Sequence, residues 1–233
     1  MTAPSASTVL SAEQLATLRA LDTPTVCNAI EAFKVRGRVE GFCGMDVRCL
    51  SPQLGVMVGY AVTLTVDSTT PGTSQDDRVW HDWMQAMASS PQPVVVVMQD
   101  VGPQPRKSAH FGEVMGTLSR RLGAIGVVTN GGVRDLDEVR RLGLHYFAAG
   151  VAPAHGQPRL LAVNVPVVID GVAIQPGDLI HGDVNGVTLV PLAIAGRVAE
   201  AAQVVRETEA ELMDYINGPE FSIDGFYQRK FTH

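Results

Sequence analysis

The sequence has few of the features that mark secreted or nucleic-acid-binding proteins. Its 233 residues include three cysteines, Cys27, Cys43 and Cys49, which form no CxxC pair and leave an odd one out. A secreted disulfide framework is therefore disfavoured, and a reducing compartment is expected. The formal net charge of -6 argues against sequence-independent nucleic-acid binding, because such binding needs a basic surface.

Long apolar runs are also missing. The longest purely apolar run, Val94–Met98, is far too short to cross a bilayer. The first ten residues lack both the basic and the apolar region of a signal peptide. We therefore expect a cytoplasmic protein with no membrane partner and no nucleic-acid partner.

Common catalytic and cofactor motifs are absent as well. The sequence has no GxGxxG, no P-loop, no HExxH, no GxSxG and no EF-hand loop. Its six histidines are scattered, and no two have the spacing of metal ligands on one helix. Nothing in the sequence therefore indicates a zinc site or a serine nucleophile.

The middle of the chain alternates between strand and helix patterns. Strands are predicted at 93–98, 124–129 and 145–149, with helices between them at 111–122 and 136–142. This alternation is typical of an α/β fold with short connections and a buried sheet.

The flanking segments predict further elements. Ser11 and Thr23-Pro24 begin two short helices, and Thr73-Ser74 caps a third. Residues 56–66 predict two short strands around Gly59. The predicted organisation is a disordered N-terminus (1–10), a single α/β domain with short strands, an Asp170-Gly171 hairpin and a long C-terminal helix (11–218), and an aromatic tail (219–233). The tail is expected to pack against something, a neighbouring subunit being one candidate.

The segment 126–138 carries the clearest chemistry. An apolar strand runs into Gly131-Gly132, which are expected to permit positive φ, and the turn then places Arg134 and Asp135 before a helix. One interpretation is structural. In it Asp135 caps the helix, with Glu138 three residues later as in a capping box, and Arg134 lies on the surface.

The functional interpretation adds a second helix start. Four consecutive residues can offer backbone N–H groups to a substrate carboxylate: Gly112, Glu113, Val114 and Met115. Arg134 supplies a planar fork for a carboxylate or keto oxygen, and Asp135 can hold Mg²⁺ or Mn²⁺ together with water. Glu113 could orient such a water or accept a proton through it; the alternative is a solvated carboxylate in a first turn.

The spacing of these residues resembles that of a known family. Glu113 is followed, after twenty intervening residues, by Arg134-Asp135, and the segments 21–26 and 176–187 match the family's opening helix and its PGD…GD…GV pattern. The chain thus resembles the 4-hydroxy-4-methyl-2-oxoglutarate aldolases, which are class II pyruvate aldolases. That family also includes the ribonuclease-inhibiting "regulator of ribonuclease activity A" proteins.

The resemblance implies a swivelling-type β/β/α domain that assembles as homotrimers, often paired into homohexamers, with active sites between subunits. By analogy Asp135 would ligate the metal, and Arg134 would bind the carboxylate and keto group of a small 2-keto acid. The backbone of residues 112–115 would hold the pyruvoyl carboxylate.

The implied activity is that of a divalent-metal-dependent lyase, either an aldolase or a decarboxylase. It would cleave 4-hydroxy-2-keto acids or oxaloacetate through the enolate of pyruvate. No lysine among Lys34, Lys107 and Lys230 lies in a predicted buried strand, so a Schiff base is not expected. The alternative is a non-enzymatic regulator of ribonuclease activity with the same fold, which the carboxylate of Glu113 disfavours.

The chain departs from the family pattern at three positions. Glu113 stands where aldolases of the family have aspartate, Asn130 where an aspartate is expected, and Ala149 where an arginine is common. The last two changes are expected to remove charge near the cleft. The family's site also takes a carboxylate from a neighbouring subunit, for which Glu207 and Glu209 are candidates; a solvated helix face is their alternative.

Overall fold

The computed structural model describes residues 9–72 and 75–231. The predicted disordered segment 1–10 falls almost entirely outside these residues, and so does the predicted Thr73-Ser74 cap. Leu10 is described, and its backbone N–H donates to the Tyr60 hydroxyl at 2.7 Å. In the ranges described, no helix is long and apolar enough to cross a membrane.

The predicted α/β class and the long C-terminal helix are both confirmed. The described helices are α1 (Ala12–Arg19), α2 (Thr23–Glu31), α3 (Asp77–Ser89), α4 (Glu113–Arg121), α5 (Leu136–Arg141), α6 (Ala195–Asn217) and α7 (Ile223–Phe231). Side-chain capping explains where helices α1 and α2 begin. The Ser11 side chain accepts from the Gln14 backbone N–H in a full capping box, and Asp22 accepts from Thr25.

The strands form one large sheet, a hairpin and a small sheet. They are β1 (Arg48–Cys49), β2 (Met57–Asp67), β3 (Val94–Asp100), β4 (Ala109–Phe111), β5 (Ala124–Thr129), β6 (Gly132–Val133), β7 (His145–Ala148), β8 (Gly150–Val151), β9 (Arg159–Val163), β10 (Val167–Ile169), β11 (Val172–Ile174), β12 (Leu179–Asp183) and β13 (Gly186–Val190). The large sheet has the order β1-β7-β5-β3-β2-β12-β13, with β9 also paired to β2.

The central strand β3 is buried on both faces, as its unbroken β-branched run predicts. Val94, Val96 and Met98 pack in the core with residues of helices α3 and α5. Val95 and Val97 point the other way and pack with residues of the β10–β11 hairpin. Because β2, β3, β5 and β7 pair in parallel, their carboxyl ends meet at one edge of the sheet.

Three predicted boundaries were wrong. Residues 56–66 are not two strands, because β2 runs unbroken through Gly59, whose missing side chain lets the Pro93 carbonyl approach; a Cβ there would lie 2.6 Å from that oxygen. Helix α3 begins at Asp77, later than a cap at Thr73-Ser74 would place it, and the Asp76 side chain caps it by accepting from the Arg78 N–H. Phe111 belongs to β4 rather than to α4 and is buried.

The small sheet sets the position of the candidate site. Its strands β4, β6 and β8 are parallel, with Phe111 in register with Val133. The Arg134 backbone N–H extends this pairing by donating to the Phe111 carbonyl at 3.0 Å. Since parallel strands leave a sheet at the same edge, the residues after β4 and the residues after β6 emerge side by side.

The aromatic tail forms a helix that the sequence analysis did not predict. The Tyr215 ring at the end of α6 contacts Phe221 at a centroid distance of 6.0 Å, and the Arg229 guanidinium lies 4.3 Å from the Tyr215 centroid. Ile223 and Phe231 remain 80% and 62% exposed. Coverage of this surface by a neighbouring subunit stays a prediction.

Buried His145 predicts a loss of stability in acid. Burial, and then the positive charge of Arg19, lower the pKa of His145 to about 4, from an ordinary value of about 6.5. The unfolded chain therefore binds this proton more readily, so its stabilising contribution is complete above about pH 6.5 and is lost as the pH falls toward 4. We expect the wild type to lose on the order of 2 kcal/mol more than His145→Gln between pH 7.5 and pH 5.

Urea unfolding at the two pH values measures this difference. His81→Gln is the matched control, because the His81 side chain is 68% exposed and should leave the pH dependence unchanged. Identical pH dependence in wild type and His145→Gln would contradict the assignment.

Candidate functional site

A small cleft collects most of the residues proposed from the sequence. It has a volume of about 170 Å³, below the range of drug-sized pockets, and therefore suits a small ligand. Its lining residues are Trp80, Ala109, His110, Phe111, Gly112, Glu113, Val114, Met115, Arg134, His155 and Pro158. The five residues proposed for substrate binding, Gly112 to Met115 and Arg134, thus share one cleft.

The first turn of α4 presents free backbone donors. Gly112 is the N-cap and makes no side-chain capping bond. The Glu113 N–H donates to Asp135 Oδ2 at 2.9 Å, whereas the N–H groups of Val114 and Met115 have no acceptor in the described part of the chain. Two aligned donors at the positive end of a helix dipole form a site suited to an anion.

Asp135 does not cap its own helix. It occupies the N-cap position of α5 in a left-handed conformation, with φ 58° and ψ 45°, and makes no capping bond there. Its carboxylate instead reaches across to the Glu113 N–H at the start of α4. The capping-box interpretation was therefore wrong. Aspartate is one of the few non-glycine residues that adopt the left-handed region readily, and Asp170 and Asn164 do so elsewhere in the chain.

The glycines around the site permit close packing rather than positive φ. A Cβ at Gly112 would lie 2.6 Å from Asp135 Oδ2 and 3.0 Å from Arg134 Nε. Neither Gly131 nor Gly132 has positive φ, so that expectation was wrong. A Cβ would come within 2.2 Å of the His110 ring at Gly131, and within 2.7 Å of a backbone carbonyl at Gly132.

Arg134 combines a fixed backbone with a partly exposed guanidinium. Its N–H is bonded to the Phe111 carbonyl, and its own carbonyl accepts from the Tyr146 hydroxyl at 3.3 Å. Burial, and then the negative charge of Asp135, raise the pKa of Tyr146, so this hydroxyl stays protonated and keeps donating. The Arg134 side chain is 36% exposed, with Nε 3.5 Å from Asp135 Oδ2.

The donor set fits a magnesium-type ion with few protein ligands. Among the described residues no three His, Cys, Asp or Glu side chains cluster as a metal cage. Asp135 Oδ1 makes no hydrogen bond within the described ranges, and its side chain is 34% exposed. Because Mg²⁺ is commonly held by one or two carboxylates plus water and substrate oxygens, Asp135 fits it as a single protein ligand.

The other candidate carboxylates lie outside this cleft in the same chain. On α6, the Glu209 side chain accepts from Asn28 at 3.3 Å and the Glu207 side chain accepts from Gln203 at 2.8 Å. Neither residue lines the cleft of its own chain. A contribution to a neighbouring subunit's site stays a prediction.

The Asn130 side-chain amide both accepts from and donates to the backbone of Asp100, which explains why an amide rather than a carboxylate stands at this position. Its Oδ1 accepts from the Asp100 N–H at 2.7 Å, and its Nδ2 donates to the Asp100 carbonyl at 2.9 Å. An ionised aspartate could make only the first bond. Neither Asn130 nor Ala149 is among the residues that line the cleft.

Six lining residues are not among those predicted from the sequence: Trp80, Ala109, His110, Phe111, His155 and Pro158. His110 is fully buried beside the cleft, with Nε2 2.8 Å from Thr129 Oγ1 and Nδ1 3.5 Å from Asp100 Oδ2. No motif marks Trp80, His155 or Pro158, because they reach the cleft from segments distant in sequence. Residues 109–111 directly precede Gly112 and line the cleft through the strand β4.

Comparison with known proteins identifies relatives over most of the chain. A family model described as "RraA-like: Aldolase/RraA" matches residues 23–189. An uncharacterized protein of Methanocaldococcus jannaschii is 32% identical over 122 residues, 52% of this chain and 59% of its own length. A "Putative 4-hydroxy-4-methyl-2-oxoglutarate aldolase" of Halalkalibacterium halodurans is 31% identical over 121 residues, 52% of this chain and 57% of its own length. The chain therefore spans less than two thirds of these two relatives.

Solved structures show the same fold. An uncharacterized protein from Pseudomonas syringae pv. tomato matches with a TM-score of 0.72 and 24% identity over 100% of both chains. Streptomyces coelicolor RraAS2, described as an unusual member of the RNase ES inhibitor RraA protein family, matches with a TM-score of 0.68 and 22% identity. That match covers 87% of this chain and 96% of RraAS2. The fold expected from the resemblance is thereby confirmed.

The Asn130 geometry predicts that Asn130→Asp destabilises the protein. The change removes the donor to the Asp100 carbonyl and sets a carboxylate against it, which should cost about 1–3 kcal/mol in the free energy of unfolding. Urea unfolding at pH 7.5 measures the loss. Asn217→Asp is the control, since Asn217 makes an exposed bond to the Met213 carbonyl; equal stability of wild type and Asn130→Asp would refute the structural role.

Proposed function

The chain belongs to the RraA-like family, and on that premise we propose that it is a divalent-metal-dependent carbon–carbon lyase. Its substrates would be small 2-keto acids, cleaved by retro-aldol reaction of 4-hydroxy-2-keto acids or by decarboxylation of oxaloacetate. Both reactions pass through the enolate of pyruvate. The observation that carries the proposal is that Arg134 and the first turn of α4 line one small cleft. Asp135 does not line this cleft itself, but its carboxylate accepts from the N–H of Glu113, which does.

The substrate carboxylate is proposed to lie on the N–H groups of Val114 and Met115. These donors are already held in place by the helix, so binding needs little reorganisation. The Arg134 fork then reaches the carboxylate or the adjacent keto oxygen, where negative charge develops as the C–C bond breaks. A group that meets this developing charge stabilises the transition state more than the ground state.

Asp135 is the proposed metal ligand, with its free Oδ1 as the donor atom. When bound, Mg²⁺ or Mn²⁺ supplies positive charge beside the enolate oxygen. Glu113 is the proposed residue that holds a water for proton transfer to the enolate carbon. The Glu113 side chain is one methylene longer than the aspartate of the aldolases that the chain resembles. The backbone N–H of Glu113 donates to Asp135, so its side chain begins next to the proposed metal ligand.

A homo-oligomer is the proposed assembly, either a trimer or a hexamer. The exposed apolar residues of α7 support it, because an isolated chain would leave Ile223, Tyr227 and Phe231 in water.

The second candidate function is a non-enzymatic regulator, for which the RNase ES inhibitor family of RraAS2 is the supporting comparison.

Asp135→Asn tests the metal assignment. The amide oxygen can still accept from the Glu113 N–H, so the fold should be kept, but the charge that holds the metal is lost. We expect Mg²⁺-dependent pyruvate release from oxaloacetate and from 4-hydroxy-4-methyl-2-oxoglutarate to fall by at least about 100-fold. EDTA should abolish the release by the wild type.

Asp137→Asn is the matched control for this change. Asp137 lies two residues away, is 69% exposed and pairs with Arg140 at 3.0 Å, so its loss should leave pyruvate release unchanged. Full activity of Asp135→Asn would contradict the proposal that Asp135 binds the metal.

Arg134→Lys tests the fork. A lysine keeps the charge but cannot bind a carboxylate through two parallel bonds, so kcat/KM should fall roughly tenfold to a hundredfold. Arg140→Lys, in an exposed ion pair, is the control. The shift in thermal unfolding caused by Mg²⁺ and oxalate together should be large for the wild type and small for Arg134→Lys; no shift in the wild type would favour the regulator.

A further inference from the structure

His155 lines the candidate cleft and has no role in the chemistry above. It lies in the connection between β8 and β9 and reaches the same cleft as Glu113 and Arg134. Its Nδ1 lies 2.8 Å from the Gly156 carbonyl oxygen. A carbonyl can only accept, so Nδ1 carries the hydrogen and donates. In the neutral ring Nε2 is then the atom with the free lone pair.

The backbone around His155 is tied to the sheets on both sides. The Ala154 carbonyl accepts from the Ala109 N–H at 2.9 Å, and the Gln157 N–H donates to the Ser68 carbonyl at 3.0 Å. Gly156, with φ 57°, allows the close approach, because a Cβ there would lie 2.5 Å from the Ser68 carbonyl oxygen. The imidazole is therefore carried by a short segment anchored at both ends, as a preorganised group needs to be.

Among the described residues, the other side chains that line the cleft are less suited than His155 to act as a second base. His110 is buried, with Nε2 hydrogen-bonded to Thr129, while Nδ1 lies 3.5 Å from Asp100 Oδ2 and makes no hydrogen bond within the described residues. The Arg134 guanidinium has only N–H donors and no acceptor atom. Glu113 is a free carboxylate, but it starts at the α4 terminus beside Asp135, on the side where the enolate half of the substrate is proposed to bind.

Retro-aldol cleavage needs two separate proton transfers. One removes the proton of the C4 hydroxyl, and the other delivers a proton to C3 of the enolate. Decarboxylation of oxaloacetate needs only the second, because the departing carboxylate has no proton to lose. A chain that runs the aldol reaction thus requires one base more than a chain that only decarboxylates.

We propose, resting on the function proposed above, that His155 Nε2 is the base that takes the C4 hydroxyl proton in the retro-aldol reaction. As the proton moves to Nε2, the C4–O bond becomes a carbonyl and the C3–C4 bond breaks. The electron pair of that bond enters the pyruvate enolate beside Arg134. A water held at Glu113 protonates C3, and the imidazolium releases its proton to the hydroxide left in solvent, so charge and atoms balance without an oxidant or reductant.

His155→Asn separates the two reactions. An asparagine side chain can still donate to the Gly156 carbonyl but has no basic nitrogen. We expect kcat/KM for 4-hydroxy-4-methyl-2-oxoglutarate to fall at least about 100-fold, while kcat/KM for oxaloacetate changes no more than a few-fold. Added imidazole should restore part of the aldol cleavage in His155→Ala. His81→Asn, an exposed histidine on α3, is the matched control.

The outcomes distinguish the inference from the function on which it rests. Equal losses in both reactions, no loss in either, or a wild type that only decarboxylates would each overturn the role of His155 and leave the lyase standing. A wild type that releases pyruvate from neither substrate and is not stabilised by Mg²⁺ with oxalate would overturn the proposed function itself. Aldol-specific loss with imidazole rescue supports the role.

Discussion

The hydrogen bond from the Glu113 backbone N–H to Asp135 Oδ2 joins two helix starts that are far apart in sequence. It requires a glycine at 112, because any Cβ there would collide with the carboxylate, and it accompanies the left-handed backbone of Asp135. This bond uses the Glu113 N–H, and the N–H groups of Val114 and Met115 have no acceptor among the described residues. The anion end and the metal end of the proposed site are therefore set by one contact, with β4 and β6 holding its two sides in register.

Much of this arrangement could be predicted from the sequence, because the relevant signals are local. The unbroken run of β3 predicts a strand buried on both faces, and α2 begins at Thr23, one residue before the proline that the pattern places at the first helical position. The same holds for the cleft, since Glu113 and Arg134 follow strands that end at one edge of parallel sheets. The motif and the family resemblance predict a role for residues 112–115 and 134, and the fold places all five in one cleft.

What could not be predicted depends on contacts between distant segments. The capping-box pattern at Asp135 is locally satisfactory, and only the approach of α4 gives its carboxylate another partner. Gly131 leaves room for the His110 ring and Gly132 leaves room for the Ser108 carbonyl oxygen. Neither glycine is needed for a positive φ. His155 lines the cleft because its segment is held by two backbone hydrogen bonds, from Ala109 to the Ala154 carbonyl and from Gln157 to the Ser68 carbonyl. No spacing in the sequence predicts that this segment lies beside the start of α4.

In the proposed site, Arg134, Asp135 and the first turn of α4 together bind the enolate of pyruvate with a divalent metal. A crystal structure of the protein with Mg²⁺ and oxalate, which mimics that enolate, is the decisive test. We predict one oxalate carboxylate on the N–H groups of Val114 and Met115, the Arg134 guanidinium on the oxalate, and the metal on Asp135. Oxalate and metal bound elsewhere, or a cleft that stays empty at saturating concentrations of both, would contradict the claim.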